Sequence, residues 1–82
     1  MYIVIAGAGR LGLVLAKKLK EDRHRVCIVD KNENLCNRLA AELSDVMIIA
    51  GDATYPDILR EAKIEKAAVC VSATSTDEDN II

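Results

Sequence analysis

The sequence predicts an α/β domain built on a Rossmann-type parallel sheet with strand order 3-2-1-4. Three observations carry that expectation. Four short aliphatic runs alternate with amphipathic stretches, which is the pattern of strands joined by crossover helices. The first run ends in Gly7-Ala8-Gly9-Arg10-Leu11-Gly12, a glycine-rich turn opening a helix. The second run ends in Asp30, where this architecture places an acid.

Each element follows from its own residues. Tyr2 to Ala6 is a continuous β-branched run closed by glycine, hence a buried strand. Leu11, Val14, Leu15 and Leu19 then recur at helical spacing, and the helix should end near Asp22. Arg25 to Val29 reads as the second strand. Asn32 is the expected N-cap of a second helix whose apolar side is Leu35, Cys36, Leu39, Ala40 and Leu43. Val46 to Ala50 is the third strand, with Met47 in the core. Pro56 suits the first turn of a third helix, with Ile58, Leu59 and Ala62 as its apolar side. Ala67 to Val71 is the fourth strand, after which Thr76 or Asp77 caps the start of a fourth helix. Residues 1–82 therefore read as a single domain that stops after its fourth strand, incomplete beside a full doubly wound sheet, with Ile81 and Ile82 lacking a surface to pack on.

Composition removes several function classes. Eleven Lys and Arg face 13 Asp and Glu, for a formal charge of −2, and there are two Tyr but no Trp or Phe. Neither a nucleic acid nor an anionic membrane surface is offered a handle by that balance. No apolar run approaches the ~20 residues that span a bilayer, so direct membrane insertion is not expected. Cys27, Cys36 and Cys70 form no metal-like or disulfide-like spacing. Cys27 and Cys70 lie in aliphatic runs and read as buried thiols in a reducing, cytoplasmic compartment. His24, in the turn at the opposite edge from the glycines, reads as a surface residue, and no catalytic or metal-binding group clusters with it.

The chemistry gathers at the carboxyl ends of the strands, where open α/β sheets bind ligands. Gly7 permits the tight turn, Gly9 lets a pyrophosphate approach the backbone, and Gly12 lets the helix sit close to the strand. The helix N-terminus favours phosphate oxygens, and Arg10 inside the turn adds a charged donor. Asp30 is placed to accept from the adenosine ribose hydroxyls and to repel a 2′-phosphate, which favours NAD(H), ATP, ADP or AMP over NADP(H), with Lys31 beside it softening that rejection. Asp52 is placed for the adenine amino group and the backbone of Ala53 for a ring nitrogen. Thr74 lies next to the point where strand order reverses, within reach of a second ribose or a phosphate. For Thr54, Ser75 and Thr76, turn and cap chemistry is the better reading.

Arg10 within the glycine turn, Val29-Asp30, Gly51-Asp52-Ala53-Thr54 and Val71-Ser72-Ala73-Thr74 leading into Asp77-Glu78-Asp79-Asn80 together resemble the amino-terminal part of RCK/KTN domains, the TrkA-N family of potassium-transport regulators. The likeness runs along essentially the whole chain. It implies a cytosolic regulatory subunit that binds NAD(H) or ATP/ADP and controls a membrane potassium channel or transporter, peripheral to the inner face of the membrane through that partner, and homo-oligomeric at full length. Carried over by position, Gly7 through Leu11 hold the phosphates, Asp30 the ribose, Asp52 and Ala53 the adenine, and Ala73 and Thr74 the distal half of the nucleotide. The other reading is the cofactor-binding half of an NAD-dependent dehydrogenase lacking its substrate domain. No positioned acid, base or nucleophile is visible, which is expected of a regulator and equally of a dehydrogenase cut off before its substrate domain. Arg10, where dehydrogenases usually place a small or apolar residue, favours the regulator over the enzyme.

Overall fold

The structure, a computed structural model, describes residues 1–72. Four parallel strands, β1 (Tyr2–Ala6), β2 (Arg25–Asp30), β3 (Met47–Ala50) and β4 (Val69–Ser72), form one sheet in the order β3-β2-β1-β4. Three helices, α1 (Arg10–Glu21), α2 (Glu33–Glu42) and α3 (Pro56–Glu61), connect them, and a 3-10 turn, Ile64–Lys66, leads into β4. The predicted class and strand order are those observed. The expected fourth helix, with Ile81 and Ile82, lies outside the described residues.

The sheet is covered on both faces, which is why its central strands read as unbroken aliphatic runs. Ile3, Ile5, Val26 and Ile28 pack on one face against Ala16, Leu39 and Leu43 of the α1–α2 layer. Val4, Cys27, Val29 and Ile49 pack on the other against Ala62, with Ile58 and Ile64 beside them. Ile5, Ile28 and Leu39 are among the largest fully buried side chains, each contributing about 1.5–3 kcal/mol relative to exposure. Asn32 caps α2 as its sequence predicts, its side-chain oxygen accepting from the Leu35 N–H at 3.0 Å. Pro56 opens α3, where its missing N–H leaves nothing unpaired.

Sequence and structure part at the sheet's margins. Met47 is 43% exposed and Cys70 is exposed, neither being core as expected. β3 and β4 are the outer strands of the described sheet, so their residues lack a neighbour on one side. The first helix also buries a narrower stripe than its spacing suggests. Gly12 and Ala16 are its buried residues, whereas Leu11 and Val14 are 57% and 64% exposed. A helix this close to the sheet presents its smallest residues to it, which turns Leu11 and Val14 away. β4 begins two residues later than expected because residues 64–66 wind into the 3-10 turn.

Candidate functional site

The carboxyl ends of β1, β2 and β3 surround one open cavity of about 270 Å³, lined by Gly7, Val29, Asp30, Lys31, Gly51, Asp52, Ala53 and Thr54. Sequence reasoning named Gly7, Asp30, Lys31, Asp52 and Ala53 as site residues, and all five line it. It did not assign roles to Val29 or Gly51, whose contribution is main-chain. Gly7 N–H donates to the Val29 carbonyl at 2.7 Å, and Gly51 N–H to the Asp30 carbonyl at 2.8 Å. These two bonds carry the sheet ladder into the loops and fix the cavity walls.

The glycine turn has two positions at which a side chain is not accommodated. Gly7 has φ 117°, in the region that favours glycine. At Gly12 a Cβ would stand 2.4 Å from the Gly7 carbonyl oxygen and 3.2 Å from its carbon. The obstacle is backbone, so only glycine lets α1 rest on the turn, as its place in the motif predicts. Gly9 is the N-cap of α1, and its carbonyl accepts from Leu13 N–H at 2.9 Å. No side chain caps this end of the helix and no acid lies in its first turn.

Asp30 is more deeply engaged than its spacing reveals. One carboxylate oxygen accepts from Ala8 N–H at 2.8 Å and the other from Asn32 N–H at 2.8 Å. The acid therefore ties the glycine turn to the start of α2, a role no sequence rule connects across 22 positions. Each anionic oxygen keeps a further lone pair, so a ribose hydroxyl can still donate to it. The bond alters the inventory of N–H donors that the glycine turn leaves free. Gly7 N–H and Ala8 N–H are both occupied, and Ala8 itself is buried in the core at 3% exposure. The donors left at the mouth of α1 are the amides of Gly9, Arg10, Leu11 and Gly12, the orphan N–H groups of a helix start. Arg10 is the first helical residue, is exposed, and makes no ion pair among the described residues.

Across the cavity, Asp52 forms a compact turn with Thr54. One of its carboxylate oxygens accepts from Thr54 Oγ1 at 2.6 Å and from Thr54 N–H at 2.8 Å. Those two bonds hold the Asp52 carboxyl below its usual range, with Lys31 adding a smaller pull in the same direction. Thr54 thus performs turn chemistry, as expected, and its target is the residue proposed to meet the adenine. Beneath Asp30, the buried Cys36 Sγ donates weakly to the Asp30 and Ile49 carbonyls at 3.5 and 3.8 Å. Burial, then the nearby Asp30 charge, pushes the Cys36 thiol up, consistent with an inert packing role. Ala73 and Thr74 lie outside the described residues. Among the described residues no group of three or more His, Cys, Asp or Glu gathers to hold a metal, and no helix is long and apolar enough to cross a membrane.

Comparison with known proteins adds a family and several relatives. The family model described as the TrkA-N domain matches residues 3–82. A Trk system potassium uptake protein TrkA homolog of Methanothermobacter thermautotrophicus is 45% identical over 82 residues, covering 100% of this chain and 38% of that protein. The Pyrococcus horikoshii protein of the same description is 37% identical over 82 residues, covering 100% of this chain and 36% of its own length. Potassium channel protein 1 of Methanocaldococcus jannaschii is 39% identical over 80 residues, covering 98% of this chain and 24% of that protein. The chain thus spans less than two fifths of the length of these relatives.

Proposed function

Because the chain belongs to the TrkA-N domain family, we propose that it is the nucleotide-sensing part of a potassium-uptake regulator, binding NAD(H) or ATP/ADP at the carboxyl edge of its sheet. The observation that carries this reading is one cavity that joins Gly7 of the glycine turn, the Asp30 carboxylate and the Asp52–Thr54 turn, with the uncapped α1 N-terminus starting two residues beyond Gly7. At about 270 Å³ the cavity lies just under the range of pockets for drug-sized ligands. It suits one nucleoside, with the phosphates running out over the glycine turn.

In this reading the free amides at Gly9 to Gly12, the helix dipole and the Arg10 guanidinium take the phosphates. Gly7 shapes the turn, and Ala8 anchors it through Asp30. Asp30 receives the ribose hydroxyls and disfavours a 2′-phosphate, with Lys31 at its side. Asp52 and the Ala53 backbone meet the adenine, and Ala73 and Thr74 meet the distal half of the ligand. The protein binds and reports without catalysing. Its output is a difference in affinity between states, since a ligand shifts an equilibrium only by as much as it prefers one of them. The names of the relatives support a membrane potassium channel or transporter as the partner. A cytoplasmic, homo-oligomeric full-length form is part of the same proposal.

Calorimetric titration with NADH, NADPH, ATP and ADP tests it, beside Arg10→Ala. Binding of NADH or ATP that is weakened by the substitution and poor for NADPH is expected. A folded chain that binds none of the four, or binds equally well without Arg10, overturns the assignment.

A further inference from the structure

The opposite edge of the sheet carries a second concave site that shares no residue with the first. Tyr2, Arg25, Met47, Lys63 and Lys66 line a cavity of about 190 Å³ at the amino ends of β1, β2 and β3. Three of the five are cations, in a chain whose formal charge is −2. None of the three forms an ion pair among the described residues, where the ion pairs are Lys20–Asp45 and Arg60–Asp57. Glu65 is the acid whose field reaches Tyr2, so positive charge predominates in the cavity.

Two features show order beyond scattered surface lysines. The Arg25 guanidinium sits 5.7 Å from the centroid of the Tyr2 ring, and the Tyr2 hydroxyl is itself tied to the Ala62 carbonyl at 2.5 Å. That stack restrains the guanidinium, so less freedom is lost when it forms a forked contact. Lys63 adopts φ 58° and ψ 48°, a left-handed conformation that favours glycine. A lysine there keeps a cation at the cavity wall against its backbone preference. The remaining wall is the Tyr2 ring and the Met47 side chain, both able to meet an organic group.

We propose that this cavity is an anion site for a phosphate group, free or carried as a small phosphomonoester. Arg25 offers the planar fork that matches phosphate, and Lys63 and Lys66 supply flanking point charges. A volume of about 190 Å³ is smaller than that of the carboxyl-edge cavity and of ordinary ligand pockets, and it suits a phosphate group or a small phosphomonoester. Tyr2 and Gly7 stand at opposite ends of β1, and Arg25 and Asp30 at opposite ends of β2. The two sites are thus separated by one strand length, on the order of 16 Å.

The test is a titration of the chain at fixed ionic strength with inorganic phosphate and with phenyl phosphate, followed by amide NMR. Saturable shifts are expected at Tyr2, Lys63 and Lys66, retained in Arg10→Ala and weakened about tenfold, the loss of one charge-assisted contact, in Lys63→Gly. Glycine suits the backbone at that position, so this variant removes the cation without straining the fold; Lys66→Gln provides an independent second removal. Tighter binding of phenyl phosphate identifies an esterified ligand, and equal binding a free anion. Shifts that chloride reproduces, that survive both lysine substitutions, or that appear only at the glycine turn and vanish in Arg10→Ala overturn the proposal.

Discussion

Replacing Asp30 by asparagine separates its scaffolding task from its proposed task toward ribose. In the structure one carboxylate receives two backbone N–H groups at 2.8 Å each. Hydrogen bonds to a charged partner contribute about 1.5–3 kcal/mol, and neutral ones about 0.5–1.5 kcal/mol. Asparagine keeps one acceptor oxygen, so one bond survives in neutral form while the other N–H faces an amide NH₂. Asp30 is half-buried, and water recovers part of that loss. The expected net destabilisation is therefore about 2 kcal/mol. With a urea dependence of about 1–3 kcal/mol per molar for a small domain, the unfolding midpoint should fall by about 0.7–2 M at unchanged slope. Amide exchange supplies the local readout, since the Ala8 or Asn32 N–H should lose protection. An unchanged midpoint together with wild-type protection of both amides would refute the reasoning. Loss of nucleotide affinity in a variant whose stability is intact would instead place the role of Asp30 wholly in the ligand.

Three further outcomes follow from other contacts. Gly12→Ala drives a Cβ to 2.4 Å from a backbone oxygen; overpacking of about 1–3 kcal/mol against a propensity gain of about 1 kcal/mol gives a net loss of about 1 kcal/mol, measured by urea unfolding. Burial, with smaller help from Cys27, pushes the Tyr2 phenol from 10.0 up to about 12. The neutral form is the one the fold favours, so this contribution is complete below pH 10 and is lost as pH rises toward 12. In a Tyr55→Phe background, tyrosinate absorbance should titrate near 12, and an ordinary midpoint would contradict the burial argument. Thr54→Val removes the 2.6 Å bond to Asp52 while keeping the backbone bond. The Asp52 midpoint should move upward, part of the way to its ordinary value, in a carboxyl NMR titration. The wild-type contribution is present above the unfolded value of 3.8 and is lost as pH falls through the lower folded value.

The parts legible in the sequence are those set by local rules. Gly7 and Gly12 mark the turn because backbone geometry there tolerates no other residue, and Asn32 marks a helix start because its side chain caps the third amide beyond it. Strand order follows from chain reversal and crossover handedness. Burial at Met47 and Cys70 was not legible, because an aliphatic run has the same appearance at the margin of a sheet as at its centre. Nor was the Asp30–Ala8 bond, which joins residues adjacent only after β1 and β2 have paired. The carboxyl-edge cavity was legible as a location, from fold topology. Which of its amides remain free depended on the hydrogen bonds.

The contact between Gly12 and Gly7 makes α1 a lever. Backbone rests on backbone at its fulcrum, with no side chain between them to absorb movement by changing rotamer. The twelve-residue helix is about 18 Å long, so a tilt of about 3° at the turn carries its far end through about 1 Å. A tilt of α1 at the turn is therefore felt most at the opposite edge of the sheet, where Lys20 meets Asp45 at 3.3 Å. Leu11 and Val14, exposed but within two residues of the fulcrum, stay nearly in place while that far end moves.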